Sequence, residues 1–424
     1  FIALSGNTGG SAGPHLHFEI RDTRTDKVLN PLLFGLPIPD NVPPTIVSLY
    51  VFDRCKSTYS QAPVRIPLKW AGNKFIAVQN VVTMPTYKVS FGITANDKQS
   101  GSTNPNGIYE GILFFDNQAL NAFQLDSISY DETRYLNAHI DYKTKASGGP
   151  YIQHLSRLPG YPQGVYRDIV NDGVIYLEDQ EIHQVRIDVL DANGNKTSIE
   201  FNIKRGFIKE NGKEPAFIDE KEFVPLAVNV YEDHDIQLYL DDKALYDSVK
   251  FSVYNRKSVS AYAISSVYSV LSGLVPVETF FTIRIKADKI PENTNRVLMK
   301  RTWKGKSEIA KAKEEGDWFT GKFRSFGDFE LITDNEPPEI TGGFANNSNL
   351  SGSKHIIFTP KDNNDVITNF RAELDGKWLM FTNDKGRNFI YHFDEKCAKG
   401  KHVLKISVED LAGNSSEKIL NFTR

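Results

Sequence analysis

The sequence contains few cysteines and no long apolar run. Among its 424 residues only Cys55 and Cys397 are cysteines, and their wide separation matches neither a metal motif nor a disulfide framework. We expect both thiols to be unpaired, with a long-range disulfide in an oxidising compartment as the alternative. Because no stretch of about eighteen apolar residues occurs, we expect no transmembrane helix.

An excess of charge of either sign is also missing. The 50 Lys and Arg residues nearly balance the 53 Asp and Glu residues, so the net charge is -3. Such a balance gives no electrostatic reason to expect a nucleic-acid partner. An initiator methionine and a signal peptide are missing as well, and Phe1 opens a strand-like stretch. We therefore expect these residues to be the downstream part of a longer protein.

The sequence is rich in aromatic residues and carries an internal repeat, and both are typical of β structure. There are 27 Phe and 18 Tyr residues. The stretch VRIDVLDANGNKTSIEFNIKR (185–205) matches LKISVEDLAGNSSEKILNFTR (404–424). In both, apolar residues alternate on either side of an Asp-x-x-Gly-Asn turn, which predicts a β-hairpin with one buried face. Each hairpin is expected to form the last two strands of a sandwich domain.

The starts of two domains repeat as well. DNVPPTI (40–46) parallels DNEPPEI (334–340), and prolines suit the stretch before a first strand. Pairing starts with ends predicts a β-sandwich domain with insertions at 40–205 and an immunoglobulin-like β-sandwich at 336–424. Between them, 206–335 is expected to be another β-rich module. The predicted fold class is therefore mainly β, with about three β-sandwich modules.

Short segments without strand character are expected inside these modules. DETRYLNAHIDY (131–142) favours at least one helical turn, and SEIAKAKEEG (307–316) has the composition of a short helix. KASGGPYIQHLSRLPGYPQG (145–164) is typical of a long loop.

The repeated turns and several aromatic residues leave alternatives open. Asp191 and Asp410 serve turn geometry first, because one carboxylate with backbone carbonyls rarely completes the roughly six to eight oxygen ligands of a Ca²⁺ ion. Three aromatic residues of the middle module are expected in the core or an interface, with stacking on sugar rings as the alternative. They are Trp303, Trp318 and Phe319.

A stretch near the start, GNTGGSAGPHLHFEI (6–20), points to metal chemistry. In a strand, His15 and His17 share one face with Glu19. Two imidazoles on one face can bind one Zn²⁺, but a catalytic zinc usually takes three protein ligands and a water. The alternate residues are expected to face a core: Leu16, Phe18 and Ile20. Small residues of the preceding loop would let a substrate approach closely: Gly9, Ser11 and Gly13.

The stretch GNTGGSAGPHLHFEIRDTRTDKVLNP resembles the end of the lysostaphin-like (LytM-type, β-lytic) zinc metallopeptidase domain. That family carries a Gly-x-Thr-Gly-x-Ser-x-Gly-Pro-His-x-His-Phe-Glu run and, after a hairpin, an Asn-Pro exit. The matching residues are Gly6, Thr8, Gly9, Ser11, Gly13, Pro14, His15, His17, Phe18, Glu19, Asn30 and Pro31. The resemblance implies that 1–36 is the C-terminal part of a β-rich metallopeptidase domain.

The resemblance implies roles for two residues. His17 would be a zinc ligand, and His15 would act on the zinc-bound water and the tetrahedral intermediate. The family's other two protein ligands come from an upstream His-x-x-x-Asp motif, which does not occur before His15 in this sequence. We therefore expect no other zinc ligand in this chain, weak or no zinc binding, and no hydrolase activity of these residues alone.

Two functions of different classes follow for the intact protein. The first is an exported bacterial zinc endopeptidase that cleaves peptidoglycan cross-link peptides, with a β-sandwich tail that positions the catalytic domain or binds a partner. The second is a catalytically inactive scaffold or accessory subunit of a cell-envelope or outer-membrane protein assembly. Both place the protein in the bacterial cell envelope, either in the periplasm or associated with the outer membrane.

Overall fold

The structure is a computed structural model that describes residues 13–36, 38–84, 86–162, 164–167, 169–206, 221–384 and 387–424. In this part of the chain the fold is mainly β, as the sequence predicts. Helices are short, and α1 spans Leu136–His139 while α2 spans Tyr142–Ala146. The other helical segments are 3-10 turns: Pro31–Phe34, Thr58–Ser60, Tyr130–Tyr135, Asn171–Gly173 and Thr294–Arg296. No helix among the described residues has the length and apolar character needed to cross a membrane.

The N-terminal segment is a small hairpin docked on the first β domain. Its strands are β1 (Ile20–Arg21) and β2 (Val28–Leu29). The 3-10 turn after them is capped by Asn30, whose side chain accepts a hydrogen bond from the Leu32 N–H. Strand β10 (Ser127–Ile128) of the first domain pairs with β2, which gives a sheet with the order β1-β2-β10. The segment is therefore anchored to the domain that follows it.

The first β domain contains two sheets. Its other strands are β3 (Thr45–Asp53), β4 (Val64–Ile66), β5 (Leu68–Ala71), β6 (Lys74–Met84), β7 (Lys88–Asn96), β8 (Glu110–Phe115), β9 (Gln118–Gln124), β11 (Gln153–His154), β12 (Tyr166–Arg167), β13 (Ile175–Tyr176), β14 (His183–Leu190) and β15 (Lys196–Arg205). One sheet has the order β11-β7-β3-β4, with β13 also paired to β7. The other has the order β12-β9-β8-β14-β15-β6-β5.

Alternating apolar residues explain why the two sheets form a sandwich. On β14, Val185, Ile187 and Val189 are fully buried. They share one hydrophobic core with Leu49 of β3 and Phe91 of β7, which belong to the other sheet. Because each strand turns every second side chain inward, the core follows from the period-2 pattern of the sequence.

The middle domain is also a sandwich of two large sheets. Its strands are β16 (Glu222–Phe223), β17 (Asn229–Glu232), β18 (Ile236–Leu240), β19 (Val249–Lys250), β20 (Val253–Arg256), β21 (Val267–Val270), β22 (Pro276–Lys286), β23 (Val297–Trp303), β24 (Lys306–Lys311), β25 (Lys313–Glu315), β26 (Trp318–Ser325) and β27 (Gly327–Thr333). The sheet orders are β17-β18-β22-β26-β25 and β20-β21-β27-β23-β24, and β16 pairs with β19. Ile283 and Phe323 from one sheet meet Met299 and Phe329 from the other in a second core.

The third domain repeats the topology of the first. Its strands are β28 (Glu339–Gly342), β29 (Ser348–Asn349), β30 (His355–Lys361), β31 (Ile367–Leu374), β32 (Lys377–Leu379), β33 (Thr382–Asp384), β34 (Asn388–His392), β35 (Lys401–Asp410) and β36 (Ser415–Thr423). The sheet orders are β28-β30-β34-β33 and β29-β36-β35-β31-β32. In both domains the last strand also pairs in parallel with an early strand, β15 with β6 and β36 with β29.

The structure tests four of the predictions. The helix predicted for 307–316 is wrong, because this stretch forms β24 and β25, and β24 pairs with β23 along its whole length. Helical turns in 131–142 are confirmed, and they start at a capping box between Ser129 and Glu132. The stretch 145–164 is mostly irregular but contributes β11. Both cysteines are free, as expected.

The cores of the first two β domains interlock. Tyr246 comes from the middle domain but lies in the first core, and Tyr59 comes from the first domain but lies in the middle core. Thr58 donates from its backbone N–H and its hydroxyl to Oδ2 of the buried Asp247, at 3.0 and 3.1 Å. The domain limits drawn from the sequence stay predictions.

Candidate functional site

The predicted metal-binding motif lies at the N-terminal edge of the described chain. Gly9 and Ser11 of the predicted substrate loop lie outside the described residues, whereas Gly13 is described. His15 and His17 are both exposed. His15 Nδ1 lies 3.0 Å from the carbonyl oxygen of Gly13, and His17 Nε2 lies 2.7 Å from Oε1 of Glu19. His17 and Glu19, two positions apart in the sequence, are therefore in direct contact.

The strand predicted for residues 14–20 is wrong over most of its length. Only Ile20 belongs to a strand, β1. The side chains of Leu16 and Phe18 are 55% and 60% exposed instead of facing a core. Among the described residues no strand pairs with 16–19, so this stretch has neither a hydrogen-bonded ladder nor a surface on which its apolar side chains could pack.

Glu19 is the most firmly held residue of the motif. Its Oε1 accepts a hydrogen bond from the hydroxyl of Tyr130 at 2.6 Å, and Arg21 Nε donates to its Oε2 at 2.7 Å. Hydrogen bonds from Tyr130, His17 and Arg21 lower the pKa of Glu19 to about 2, so it is a carboxylate at neutral pH. Through Tyr130, Glu19 anchors the motif to the helical segment of the first domain.

The residues around His17 fit one ligand of a zinc site but not a complete site. A metal-bound histidine usually gives its other ring N–H to a carboxylate, and His17 places Nε2 against Glu19, which leaves Nδ1 for a metal. A catalytic zinc takes three protein ligands. Within the described ranges, the groups of three or more potential metal ligands include neither His15 nor His17. No zinc-dependent step follows from this part of the chain alone.

The remaining histidines lie in the β domains, away from the motif. Two are buried in the first domain, where burial lowers the pKa of His139 to about 4 and that of His154 to about 3. The others are distributed over all three β domains: His183, His234, His355, His392 and His402.

The structure assembles two acidic clusters from residues that are far apart in sequence. The first acidic triad consists of Asp40, Asp97 and Asp191, and the second consists of Asp334, Asp362 and Asp410. In each triad, three carboxylate oxygens, one from each residue, lie within 4.8 Å of one another.

Sequence reasoning found only part of these triads. For Asp191 and Asp410 the sequence predicts turn geometry first, with Ca²⁺ binding as the alternative, and it places the aspartates before the Pro-Pro pairs in a linker. Asp97 and Asp362 were missed. They directly follow β7 and β30, which are equivalent strands of the first and third domains, and only this topological equivalence brings them to the triads.

The two triads are built from the same hydrogen bonds. Asp191 Oδ1 accepts from the backbone N–H of Asn195 at 2.9 Å. The side-chain amide of Asn195 donates to Asp191 Oδ2 at 2.7 Å and to the carbonyl oxygen of Asp40 at 3.1 Å. The same three contacts recur in the second triad among Asp410, Asn414 and Asp334.

One aspartate of each triad has a raised pKa. Burial, followed by the charges of Asp191 and Asp40, raises the pKa of Asp97, which is only 6% exposed. Burial also raises the pKa of Asp362, and the charges of the other two carboxylates of its triad add to the effect. Each triad therefore concentrates negative charge in a partly dehydrated place.

The aromatic residues considered for sugar stacking lie mainly inside the middle domain. Phe319 is fully buried in the second core. Trp303 is half-buried and its indole lies against Gly273. Trp318 is half-buried beneath the guanidinium of Arg284, whose Cζ lies 5.3 Å from the centre of the Trp318 ring. Phe319 is therefore a core residue, whereas both tryptophans keep part of their surface exposed.

Comparisons with known proteins give a family model for part of the chain and several solved structures. Residues 221–334 match the family model of the Zu5-like domain. A search of curated proteins finds no match. Solved structures with a similar arrangement include the Bacteroides ovatus mixed-linkage glucan utilization locus protein SGBP-B in complex with a mixed-linkage heptasaccharide, at 11% identity over 86% of this chain and 68% of that one, with a TM-score of 0.15.

Two further similar structures are the fibronectin(III)-like modules of Clostridium thermocellum CbhA and the sialic acid binding region of a Streptococcus sanguinis SK1 adhesin. The first is 11% identical over 41% of this chain and 93% of that one, with a TM-score of 0.18. The second is 13% identical over 91% of this chain and 78% of that one, with a TM-score of 0.17. At such identities and TM-scores, these structures carry no argument about ligands or activity.

Proposed function

We propose that this chain carries the C-terminal part of a zinc endopeptidase centre for bacterial peptidoglycan cross-link peptides, followed by a β-sandwich tail. The sequence run from Gly6 to Glu19 carries the proposal, because its glycines, proline and two histidines occur together at the family's spacing. His17 is the proposed zinc ligand, and His15 is the proposed acid–base residue. The remaining zinc ligands are proposed to come from a His-x-x-x-Asp motif outside these 424 residues.

The local geometry supports these roles. Glu19 is a charged carboxylate at neutral pH and accepts from His17 Nε2, as a carboxylate that orients a metal-bound histidine does. Tyr130 ties Glu19 to the first domain, so the tail can hold the motif in place. The exposed side chains of Leu16 and Phe18 offer an apolar surface on which the rest of a catalytic domain can pack.

A cell-wall substrate places the protein outside the cytoplasm. We therefore propose export to the bacterial cell envelope, in the periplasm or at the outer membrane.

The proposal is tested on the full-length natural protein by measuring bound zinc and the release of peptides from purified peptidoglycan. We expect one zinc per chain and cleavage by the wild type. His17→Ala should lose both, because a zinc ligand is removed. His15→Ala should keep zinc but lose about 10²–10⁴-fold in rate, as expected for an acid–base residue.

The matched control is His234→Ala, which replaces an exposed histidine of the middle domain and should change neither readout. A full-length protein that binds no zinc and cleaves no peptidoglycan would contradict the enzyme. Stoichiometric zinc and cleavage by residues 1–424 alone would instead contradict the division of the site between this chain and an upstream segment.

The alternative, an inactive scaffold in an envelope assembly, is favoured by one feature of the first domain. Strand β4 is the edge of one of its sheets, and β5, which pairs with β6, is the edge of the other. Large apolar side chains are exposed on these three strands. Val64 is 63% exposed, Trp70 is 56% exposed and Val78 is 50% exposed. Such a strip suits contact with a protein partner. Under this alternative the full-length protein lacks zinc, and Trp70→Ser weakens co-purification with envelope proteins.

A further inference from the structure

The three carboxylates of each acidic triad lie close enough to repel one another. Like charges within about 4–6 Å disfavour each other's ionisation, and burial adds to the penalty. Within the described part of the chain, none of the six aspartates forms an ion pair with Lys, Arg or His. Near the second triad, Arg296 and Lys311 donate to the carbonyl oxygen of Ala412, at 3.1 and 2.9 Å, rather than to a carboxylate.

One carboxylate oxygen in each triad has no donor. Oδ1 of Asp97 is buried and makes no hydrogen bond to any described residue, although this side chain is among the most buried acids of the first domain. Oδ1 of Asp362, the equivalent residue of the third domain, is likewise buried and makes no hydrogen bond to any described residue. Buried acceptors are nearly always satisfied, so an open oxygen at the same place in two domains indicates a ligand that the polypeptide does not supply.

We propose that each acidic triad is a Ca²⁺ site. Ca²⁺ takes roughly six to eight oxygen ligands at about 2.3–2.6 Å, so its opposite ligands lie about 4.6–5.2 Å apart. The carboxylate oxygens of each triad lie within 4.8 Å of one another, which suits this spacing. Mg²⁺ demands a near-ideal octahedron at about 2.0–2.1 Å and usually keeps several waters with one or two carboxylates, so a site of three carboxylates suits it less well. Waters and nearby carbonyl oxygens would complete the shell.

Both sites lie where the chain enters a sandwich domain. Strands β3 and β28 begin at Thr45 and Glu339, five residues after Asp40 and Asp334 respectively. In each case the ion would join this entry stretch to the turn of the last hairpin and to the end of β7 or β30. The second site also borders the middle domain, because the Asp334 N–H donates to the carbonyl oxygen of Arg296. Bound Ca²⁺ would therefore stiffen the connections between domains.

The test is calorimetric titration of the EGTA-stripped protein with Ca²⁺ up to about 10 mM, beyond the weakest class of extracellular calcium modules at about 10⁻³ M. We expect two ions per chain for the wild type. Asp97→Asn and Asp362→Asn should each retain one, and the double variant should retain none. Asp242→Asn, which replaces an exposed aspartate outside the triads, should retain two.

A second measurement guards against variants that fail to fold. The thermal midpoint of the wild type should rise with Ca²⁺ and less with Mg²⁺. Without Ca²⁺, both single variants should be at least as stable as the wild type, since each removes a repelling charge. The proposal is overturned if the wild type binds no Ca²⁺ and shows no shift, or if the single variants keep the wild-type stoichiometry. The proposal is independent of the peptidase activity.

Discussion

At the scale of single residues, two histidines in equivalent places are each held between two acceptors. His402 Nδ1 lies 2.7 Å from Asp375 Oδ2, and its Nε2 lies 2.7 Å from the carbonyl oxygen of Ala398. His183 has an equivalent contact to Asp116 and a second one to another aspartate. Because both ring nitrogens face acceptors, both must donate, which requires the protonated imidazolium. The sequence repeat aligns the two histidines but does not show their partners.

Protonation of these histidines should make stability depend on pH. Burial lowers the pKa of His402, but the hydrogen bonds to Asp375 and Ala398 outweigh it, so the pKa is raised above its ordinary value of 6.5. The pKa of His183 is raised in the same way, against the effect of burial, by two aspartates. A group whose pKa is higher in the folded state than in the unfolded state stabilises the fold fully at pH values below its unfolded-state pKa. This contribution is lost as pH rises through the folded-state pKa.

We therefore expect the free energy of unfolding of the wild type to fall as pH rises from 6.5 through the raised pKa values. The double variant His183→Gln/His402→Gln should lose this slope in the same interval. Urea unfolding at a series of pH values measures it, and His234→Gln serves as the control that keeps the slope. An unchanged slope in the double variant would show that the two imidazoles are not the responsible groups.

At the scale of elements, the repeated hairpins follow from their pattern. Leu404, Ile406 and Val408 on β35 are almost completely buried, and the polar turn between β35 and β36 lies at the predicted place. The stretch 306–315 shows the opposite case. Its composition favours a helix, yet it forms β24 and β25 at the edges of two different sheets, because pairing with the neighbouring strands β23 and β26 satisfies its backbone.

The burial of Ile406 gives a test of the hairpin. Ile406→Ala should lower the free energy of unfolding of the third domain by about 2–5 kcal/mol, because it leaves a cavity in a close-packed core. Val403→Ala on the same strand is the matched control, since Val403 is 44% exposed and its truncation should cost roughly 0.5 kcal/mol or less. Equal losses in the two variants, measured by chemical unfolding, would contradict the burial pattern.

At the scale of the whole molecule, the first and middle domains are joined by a close backbone contact. The Gly160 N–H donates to the carbonyl oxygen of Tyr246 at 2.8 Å. A Cβ added at Gly160 would overlap the carbonyl oxygen of Leu245 and the backbone of Tyr246. Arg134 Nη2 also donates across the junction to the carbonyl oxygen of Val277, at 2.7 Å. These contacts, with the exchanged tyrosines of the two cores, should make the two domains unfold together.

Gly160→Ala should make the first and middle domains unfold in two separate transitions. We expect a loss of about 1–3 kcal/mol at the junction, because the backbone of the middle domain must move away from the added methyl group. Gly107→Ala is the control, since an added Cβ there meets nothing within 4 Å. Differential scanning calorimetry should show one shared transition for the wild type and the control, and two transitions for Gly160→Ala. A single unshifted transition in Gly160→Ala would contradict the tight junction.

The mainly β class, the two hairpins with their buried faces and the helical turns near residue 131 can be predicted from the sequence, because they depend on local periodicity and turn chemistry. The sequence also singled out His15 and His17 through a local motif. The strands in 306–315 and the exposure of Leu16 could not be predicted in this way, since both depend on which parts of the folded chain meet. The acidic triads also depend on the tertiary structure. Asp97 and Asp362 lie at the ends of the equivalent strands β7 and β30, next to aspartates that are far away in sequence.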